Sequence, residues 1–262
     1  MEKIKVAIIG CGNIANSAHI PAYMANPKAE IVCFCDIIRE RAEAAVEKYG
    51  VGRAVTDYRE LLNDKEIDAV SVCTPNNVHS TISIDFMRAG KDVLCEKPAA
   101  RIYSEALEMQ RVRRETGRLL NIGVCNRFNS SVNRIKELIE AGRLGEVYEV
   151  YISFRSHRSI PGLGGAFTTK AIAGGGALID WGVHFLDLIL YVLGGAKIKS
   201  ATCDTYSEMA KDMKSYRYKS MWAADTVNLE NGTNDVDDYV TGYVRTDKAS
   251  ISFDGAWAQN ID

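Results

Sequence analysis

Lys3-Ile4-Lys5-Val6-Ala7-Ile8-Ile9-Gly10-Cys11-Gly12-Asn13-Ile14-Ala15 passes from an apolar, β-branched strand straight into a two-glycine turn and a helix start. Such a GxGxxA spacing is weak evidence alone and strong evidence between a strand and a helix. Gly10 permits the tight turn. Gly12 lets backbone N–H groups approach a pyrophosphate, and Ala15 allows close packing of helix on strand. Asn13 and Ile14 open the helix and belong to the same contact set. The next strand, Glu30–Cys35, ends in Asp36, whose carboxylate can accept hydrogen bonds from both hydroxyls of a ribose and repels a 2′-phosphate. That favours NAD. Arg39 and Arg41 follow closely and can neutralise such a phosphate, which keeps NADP open.

Outward from this turn, short apolar runs alternate with amphipathic stretches, the pattern of βαβ units around a parallel sheet. Strands are expected at Lys3–Ile9, Glu30–Cys35, Ala69–Cys73, Asp92–Cys95 and Leu119–Val124. Helices are expected at Asn13–Asn26 (bent or interrupted by Pro21), Arg39–Tyr49, Asp57–Leu62, His79–Ala89 and Ser104–Thr116. The strands are continuously apolar, so the sheet is buried on both faces. After residue 124 the pattern changes. A helix at Val132–Ala141 precedes an alternating strand, Val147–Phe154, and a glycine-rich segment leads into an apolar helix, Ala177–Leu193. Strands at Lys199–Thr205, Val236–Thr246 and Lys248–Trp257 follow, the last two as a hairpin over Thr246–Lys248. An α/β half, residues 1–122, is thus followed by a mostly antiparallel α+β half, residues 123–262.

Composition narrows the function. Hydrophobic residues make up 47% and charged residues 25%, as in ordinary globular chains. The 32 basic and 34 acidic residues give a net charge of −2, which argues against nucleic acid or anionic membrane as partner. No apolar run reaches the roughly 18 residues of a spanning helix. The N-terminus reads as a strand, not as a signal peptide. The seven cysteines are scattered and form no CxxC or Cys/His ligand spacing. They are expected as reduced thiols in a cytoplasmic protein, with no metal site. The sequence stops directly after a strand, at Ala258–Asp262, which reads as a fragment of a longer protein.

Three further segments carry candidate chemistry. Cys73-Thr74-Pro75-Asn76-Asn77-Val78-His79 follows a strand, where ligands of open α/β sheets bind. Thr74 and Asn76 are placed to reach the nicotinamide half of the cofactor, whereas Asn77 and His79 read as turn and helix cap. Glu96-Lys97-Pro98 follows the next strand at the same sheet edge, and Pro98 biases Lys97 away from helical geometry. Glu96 joins the cofactor set, and Lys97 can touch cofactor and stabilise a developing alkoxide; the spacing alone equally allows a Glu96–Lys97 surface pair. In Gly174-Gly175-Gly176-Ala177-Leu178-Ile179-Asp180-Trp181-Gly182-Val183-His184, Asp180 and His184 lie one helical turn apart. His184 can take a hydroxyl proton, with Asp180 or Asp187 as its partner, although a histidine on an apolar helix is more often a core group.

GCGNIA, CEKPAA and GGGALIDWGVHFLDL, in this order, resemble the glucose–fructose oxidoreductase / inositol dehydrogenase / rhizopine-catabolism (Gfo/Idh/MocA) family. Weaker support comes from CTPNNVH, Asn126-Arg127-Phe128 and Val236-Asp237-Asp238-Tyr239. The resemblance implies an N-terminal Rossmann domain, and a C-terminal domain on a large, mostly antiparallel sheet that commonly forms the contact between copies. It implies Lys97, Asp180 and His184 as the catalytic set. The activity implied is hydride transfer between NAD(P) and a secondary alcohol of a sugar, sugar derivative or inositol-like polyol. A glycosidase that oxidises its substrate transiently, and a non-catalytic NAD-binding regulator, are the alternatives. The loop Arg155–Lys170, with Arg127, Arg155, His157 and Arg158, is expected to line the sugar pocket or simply to meet solvent.

Overall fold

β1 (Ile4–Ile9) buries alternate side chains on opposite faces of a parallel sheet. Val6 and Ile8 point into one apolar cluster with Ile31, Phe34, Ala42 and Ala45. Ala7 and Ile9 point into another with Val70, Val72, Val93, Phe86 and Met109. Each fully buried aliphatic side chain contributes about 1.5–3 kcal/mol, so both faces of this strand are strongly specified. The computed structural model describes residues 3–218 and 227–260. The chain divides into two units, Met1–Gly123 and Val124–Asp262.

In the first unit β2 (Ala29–Cys35), β3 (Arg53–Val55), β4 (Ala69–Val72), β5 (Asp92–Cys95) and β6 (Leu120–Ile122) join β1 in the order β3-β2-β1-β4-β5-β6, every pair parallel. This is the doubly wound, Rossmann-type order, reversing between β1 and β4. Among the described residues the strands are connected by α1 (Ile20–Ala25), α2 (Arg39–Tyr49), α3 (Asn76–Arg88) and α4 (Tyr103–Thr116), and between β3 and β4 by a 3-10 turn at Tyr58–Leu61, where a helix over Asp57–Leu62 is expected. β3 escapes sequence analysis because three residues carry no legible period. α3 starts at Asn76, directly after Pro75, rather than at His79. The helix from Asn13 is continuous but widens into a π turn over Ala15–His19, where the Ile20 N–H bonds back to the Ala15 carbonyl. Pro21, the second residue of α1, therefore lies inside the continuous helix and has no N–H to offer the Ser17 carbonyl.

In the second unit α5 (Ser130–Glu140) is followed by β7 (Glu149–Arg155), α6 (Lys170–Ala173), α7 (Val183–Val192), β8 (Ile198–Tyr206), β9 (Tyr239–Thr246) and β10 (Ser250–Ala256). The four strands are ordered β7-β10-β9-β8. β8, β9 and β10 pair antiparallel, while β7 pairs parallel with β10, so the sheet is mixed and mostly antiparallel. Val236–Asp238, expected within the strand, precede it. One sheet face packs under α7 through Phe154, Ile189, Leu193, Val240, Val244, Ile251 and Phe253. On the other face Tyr151, Ser153 and Arg155 of β7 converge on Asp254, and β8 is exposed along its whole length.

Within the 23-residue run Lys170–Val192 an 18-residue window reaches a mean hydropathy of 1.3, enough by length and composition alone to cross a membrane, which amends the sequence expectation. Its regular structure is interrupted at Gly174–Gly176, and Ile189 and Val192 of α7 are buried in the unit.

Candidate functional site

The glycine turn is held by the strands on either side of β1. Gly10 donates its N–H to the Cys35 carbonyl at the end of β2. Its φ is +93°, and a Cβ there would stand 2.6 Å from the Cys73 carbonyl oxygen beyond β4, so position 10 admits only glycine. Gly12 differs: a Cβ there would meet nothing within 4 Å. Asn16 ties the turn from below, its Nδ2 donating to the Cys11 and Gly12 carbonyls. Asn13 and Ile14 are exposed above it.

Asp36 is buried. One carboxylate oxygen accepts from the Cys11 N–H at 2.9 Å and the other from the Ile38 N–H at 2.9 Å. Each oxygen keeps a second lone pair, so the carboxylate both braces the turn and can accept from a ribose. Arg39 pairs with Glu43 one turn along α2, so its charge is partly committed.

Thr74 and Asn76 stand at the carboxyl end of β4, across the point where strand order reverses. Among the described residues the Thr74 hydroxyl oxygen is buried without a hydrogen-bond partner. Such a group carries a cost that a bound polar ligand removes. An open face over Gly12, a buried acceptor at Asp36 and an unsatisfied Thr74 hydroxyl together fit a dinucleotide. His79 sits buried beside them, its ring nitrogens each 2.7 Å from the Thr74 and Pro98 carbonyls.

Glu96 and Lys97 follow β5. Lys97 is half-buried and joined to Pro98 by a cis peptide bond. Glu96, expected as a cofactor contact, has its carboxylate on protein groups: one oxygen lies 2.8 Å from His19 Nε2 and the other accepts from the Lys97 N–H at 3.0 Å.

In the second unit Asp237 accepts from the N–H groups of Gly176 and Leu178 and so caps the helix that carries the second constellation. A Cβ at Gly176 would collide with the Asp237 backbone at 1.8 Å, which accounts for the last glycine of the triplet. The helix widens into a π turn over Leu178–Gly182, and this turn holds Asp180. Asp180 is buried, and its Oδ2 accepts from the Trp257 indole N–H at 3.0 Å. His184 follows, half-buried, in the first turn of α7. Asp187 is forked by the Arg127 guanidinium, and Arg127 also lies over the Tyr191 ring. That pairing engages both Asp187 oxygens with a guanidinium. Arg155 forks Asp254, whose carboxyl is held down at about 2 chiefly by that contact, and Arg158 reaches Asn260. These arginines serve the unit's own structure rather than standing free for a ligand.

Residues 4–124 match the oxidoreductase family, NAD-binding Rossmann fold, and residues 132–261 match the GFO/IDH/MocA C-terminal domain. The chain belongs to the Gfo/Idh/MocA family. It is 34% identical to the D-glucoside 3-dehydrogenase of Escherichia coli (strain K12) over 87% of its own length and 64% of the relative's. It is 30% identical to the inositol 2-dehydrogenase of Salmonella paratyphi B over 60% of its length and 48% of the relative's. The crystal structure of GenD2 from gentamicin A biosynthesis in complex with NAD superposes with a TM-score of 0.82 at 26% identity, covering 100% of this chain and 68% of that one. The chain spans between about half and two thirds of the length of the curated relatives it matches.

Two residues of these surroundings escaped sequence analysis. His19 lies on the helix after the glycine turn with nothing but its type to mark it. Trp257 closes an apolar strand, and only the pairing of β10 with β7 and β9 brings its indole to Asp180.

Proposed function

We propose that the protein uses NAD to oxidise, reversibly, a secondary alcohol of a sugar, sugar derivative or cyclic polyol. The observation that carries this reading is the glycine turn with the Gly12 face open and the Thr74 hydroxyl buried and unsatisfied beside it. The names of the two curated relatives, a glucoside 3-dehydrogenase and an inositol 2-dehydrogenase, support the substrate class. Residues 1–122 hold the cofactor through Gly10, Gly12, Asn13, Ile14, Asp36, Thr74, Asn76 and Lys97. Residues 123–262 bind substrate and join copies through the exposed face of the β7–β10 sheet. Asp36 favours NAD over NADP, and the cytoplasm is the expected compartment.

NAD, when bound, supplies the acceptor for the carbinol hydride. His184 takes the hydroxyl proton. Asp180 orients the imidazole and is itself fixed by the Trp257 N–H, and Lys97 stabilises negative charge growing on the oxygen. Acid–base help of this kind contributes about 10²–10⁴ in rate.

A single-turnover assay tests the reading, with protein in excess over NAD, across inositols, aldoses and amino sugars, following NADH absorbance. Formation of NADH with one substrate class is expected. Lys97→Ala and His184→Ala should each lose at least about 10²-fold in kcat with NADH affinity nearly intact. Wild-type turnover in both variants would refute the roles assigned to these side chains.

A further inference from the structure

His19 and Glu96 are joined by a buried hydrogen bond between two segments that the proposed reaction uses separately. His19 ends the π turn that follows the glycine turn and is 9% exposed. Its Nδ1 lies 2.7 Å from the hydroxyl of Ser71, a fully buried residue of β4 that the Tyr23 hydroxyl also meets. Its Nε2 lies 2.8 Å from Glu96 Oε1, and since a carboxylate only accepts, Nε2 carries the hydrogen. The other Glu96 oxygen accepts from the Lys97 N–H. Burial alone would push the Glu96 carboxyl up, but the hydrogen bond and charge of His19, together with the N–H and charge of Lys97, outweigh it and hold the group below its usual range.

The surroundings are shaped for this carboxylate. A Cβ at Gly123 would stand 2.8 Å from Glu96 Oε1, so glycine at the end of β6 is what leaves room for it. Both Glu96 oxygens are engaged by the protein, unlike the hydroxyl of Thr74 nearby. A group with that bonding is arranged to hold its neighbours rather than to receive a ligand.

We propose that Glu96 and His19 are a positioning pair: Glu96 fixes the Lys97 backbone and places an anion beside its ammonium, while His19 anchors Glu96 to the helix of the glycine turn. The inference rests on the proposed role of Lys97. It replaces the expectation that Glu96 contacts the cofactor. Through this pair, the helix that opens under the pyrophosphate and the loop that carries Lys97 move as one body.

The test uses Glu96→Gln, His19→Ala and the conservative His19→Gln in the full chain. Displacing a reacting group by an ångström costs about 10²-fold, so Glu96→Gln should lower kcat by about tenfold to 10²-fold with NADH dissociation constants within about threefold of wild type. The kcat–pH profile of Glu96→Gln should be displaced from that of the wild type, and His19→Gln should recover part of what His19→Ala loses. Weakened NADH binding with kcat intact would make Glu96 a cofactor contact and overturn the pair. A lowered melting midpoint with an unmoved pH profile would make it merely structural and overturn it too. If the wild-type chain oxidises no sugar, the functional reading fails by itself. The pair is then judged by carboxyl titration of the [13C]glutamate-labelled chain, with the Glu96 signal identified by its loss in Glu96→Gln. A midpoint lower in wild type than in His19→Ala supports it, and equal midpoints overturn it.

Discussion

Gly10 and Gly12 lie two residues apart in one turn, yet the geometry assigns them different work, and alanine at each position separates the two. Gly10→Ala puts an L side chain at φ +93° with its Cβ 2.6 Å from a backbone carbonyl oxygen. The left-handed conformation costs about 1–3 kcal/mol, and forcing a methyl against backbone that cannot swing away adds about 1–3 kcal/mol. The combined loss is about 2–6 kcal/mol, or about 10 °C or more in the melting midpoint of the first unit. Gly12→Ala meets neither obstacle, so stability should stay within about 0.5 kcal/mol. Its methyl instead occupies the face over which a pyrophosphate approaches the backbone, and NADH should bind at least about tenfold more weakly, a loss of about 1.4 kcal/mol. Thermal denaturation by circular dichroism and NADH titration by fluorescence read the two quantities independently. Wild-type NADH affinity in Gly12→Ala would refute the placement of the cofactor over this turn. An unshifted midpoint in Gly10→Ala would refute the steric account of the turn itself.

Trp257→Phe keeps an aromatic ring under Asp180 but removes the indole donor, so kcat should fall about tenfold while NADH affinity holds; steady-state kinetics beside NADH titration check it. Asp254, held at about 2 chiefly by Arg155, has a depressed pKa, so its contribution is fully present above the unfolded value of 3.8 and is lost as pH falls toward 2. With Arg155 partly exposed, the loss is on the order of 1–2 kcal/mol, and acid melting curves of Asp254→Asn should lack that part of the decline. Burial pushes the thiols of Cys11, Cys35 and Cys95 up to about 12 and that of Cys33 to about 11, so a thiol reagent at neutral pH should label exposed Cys125 and Cys203 in the folded chain and leave the buried five until unfolding.

The parallel sheet was legible because β1, β2, β4 and β5 carry continuous apolar runs, each ended by a polar or glycine-rich turn, and burial on both faces leaves no other pattern. β3 was not legible: Arg53-Ala54-Val55 gains strand structure only by pairing with Cys33–Cys35. The parallel pairing of β7 with β10 was hidden for a related reason, since register between distant segments is set by tertiary packing rather than by local period. At the site, residue types at strand ends marked Asp36, Thr74 and Lys97, but spacing carried no information about what each oxygen touches. Glu96 shows the difference. Its place after β5 suggested a ligand contact, and only the approach of His19 and the space left by Gly123 show that its bonds are internal.

The two π turns explain why helical spacing was an imperfect guide to the site. Pro21 has no N–H to give the Ser17 carbonyl, and its ring would crowd that oxygen in a regular helix; widening the preceding turn relieves the conflict and brings His19 against Ser71 and Glu96. In the second unit a Cβ at Gly182 would stand 2.7 Å from a Leu178 methyl and 3.3 Å from the Phe154 ring, so glycine lets the π turn seat on the sheet with Asp180 turned toward Trp257. Both helices read from sequence with an ordinary period of 3.6, and in both the extra residue falls where a titratable side chain is buried against a partner. π turns concentrate at functional sites. Here the local reason is visible in each case, a proline in one helix and a glycine in the other, and each reason acts within a few residues of the side chain it re-aims.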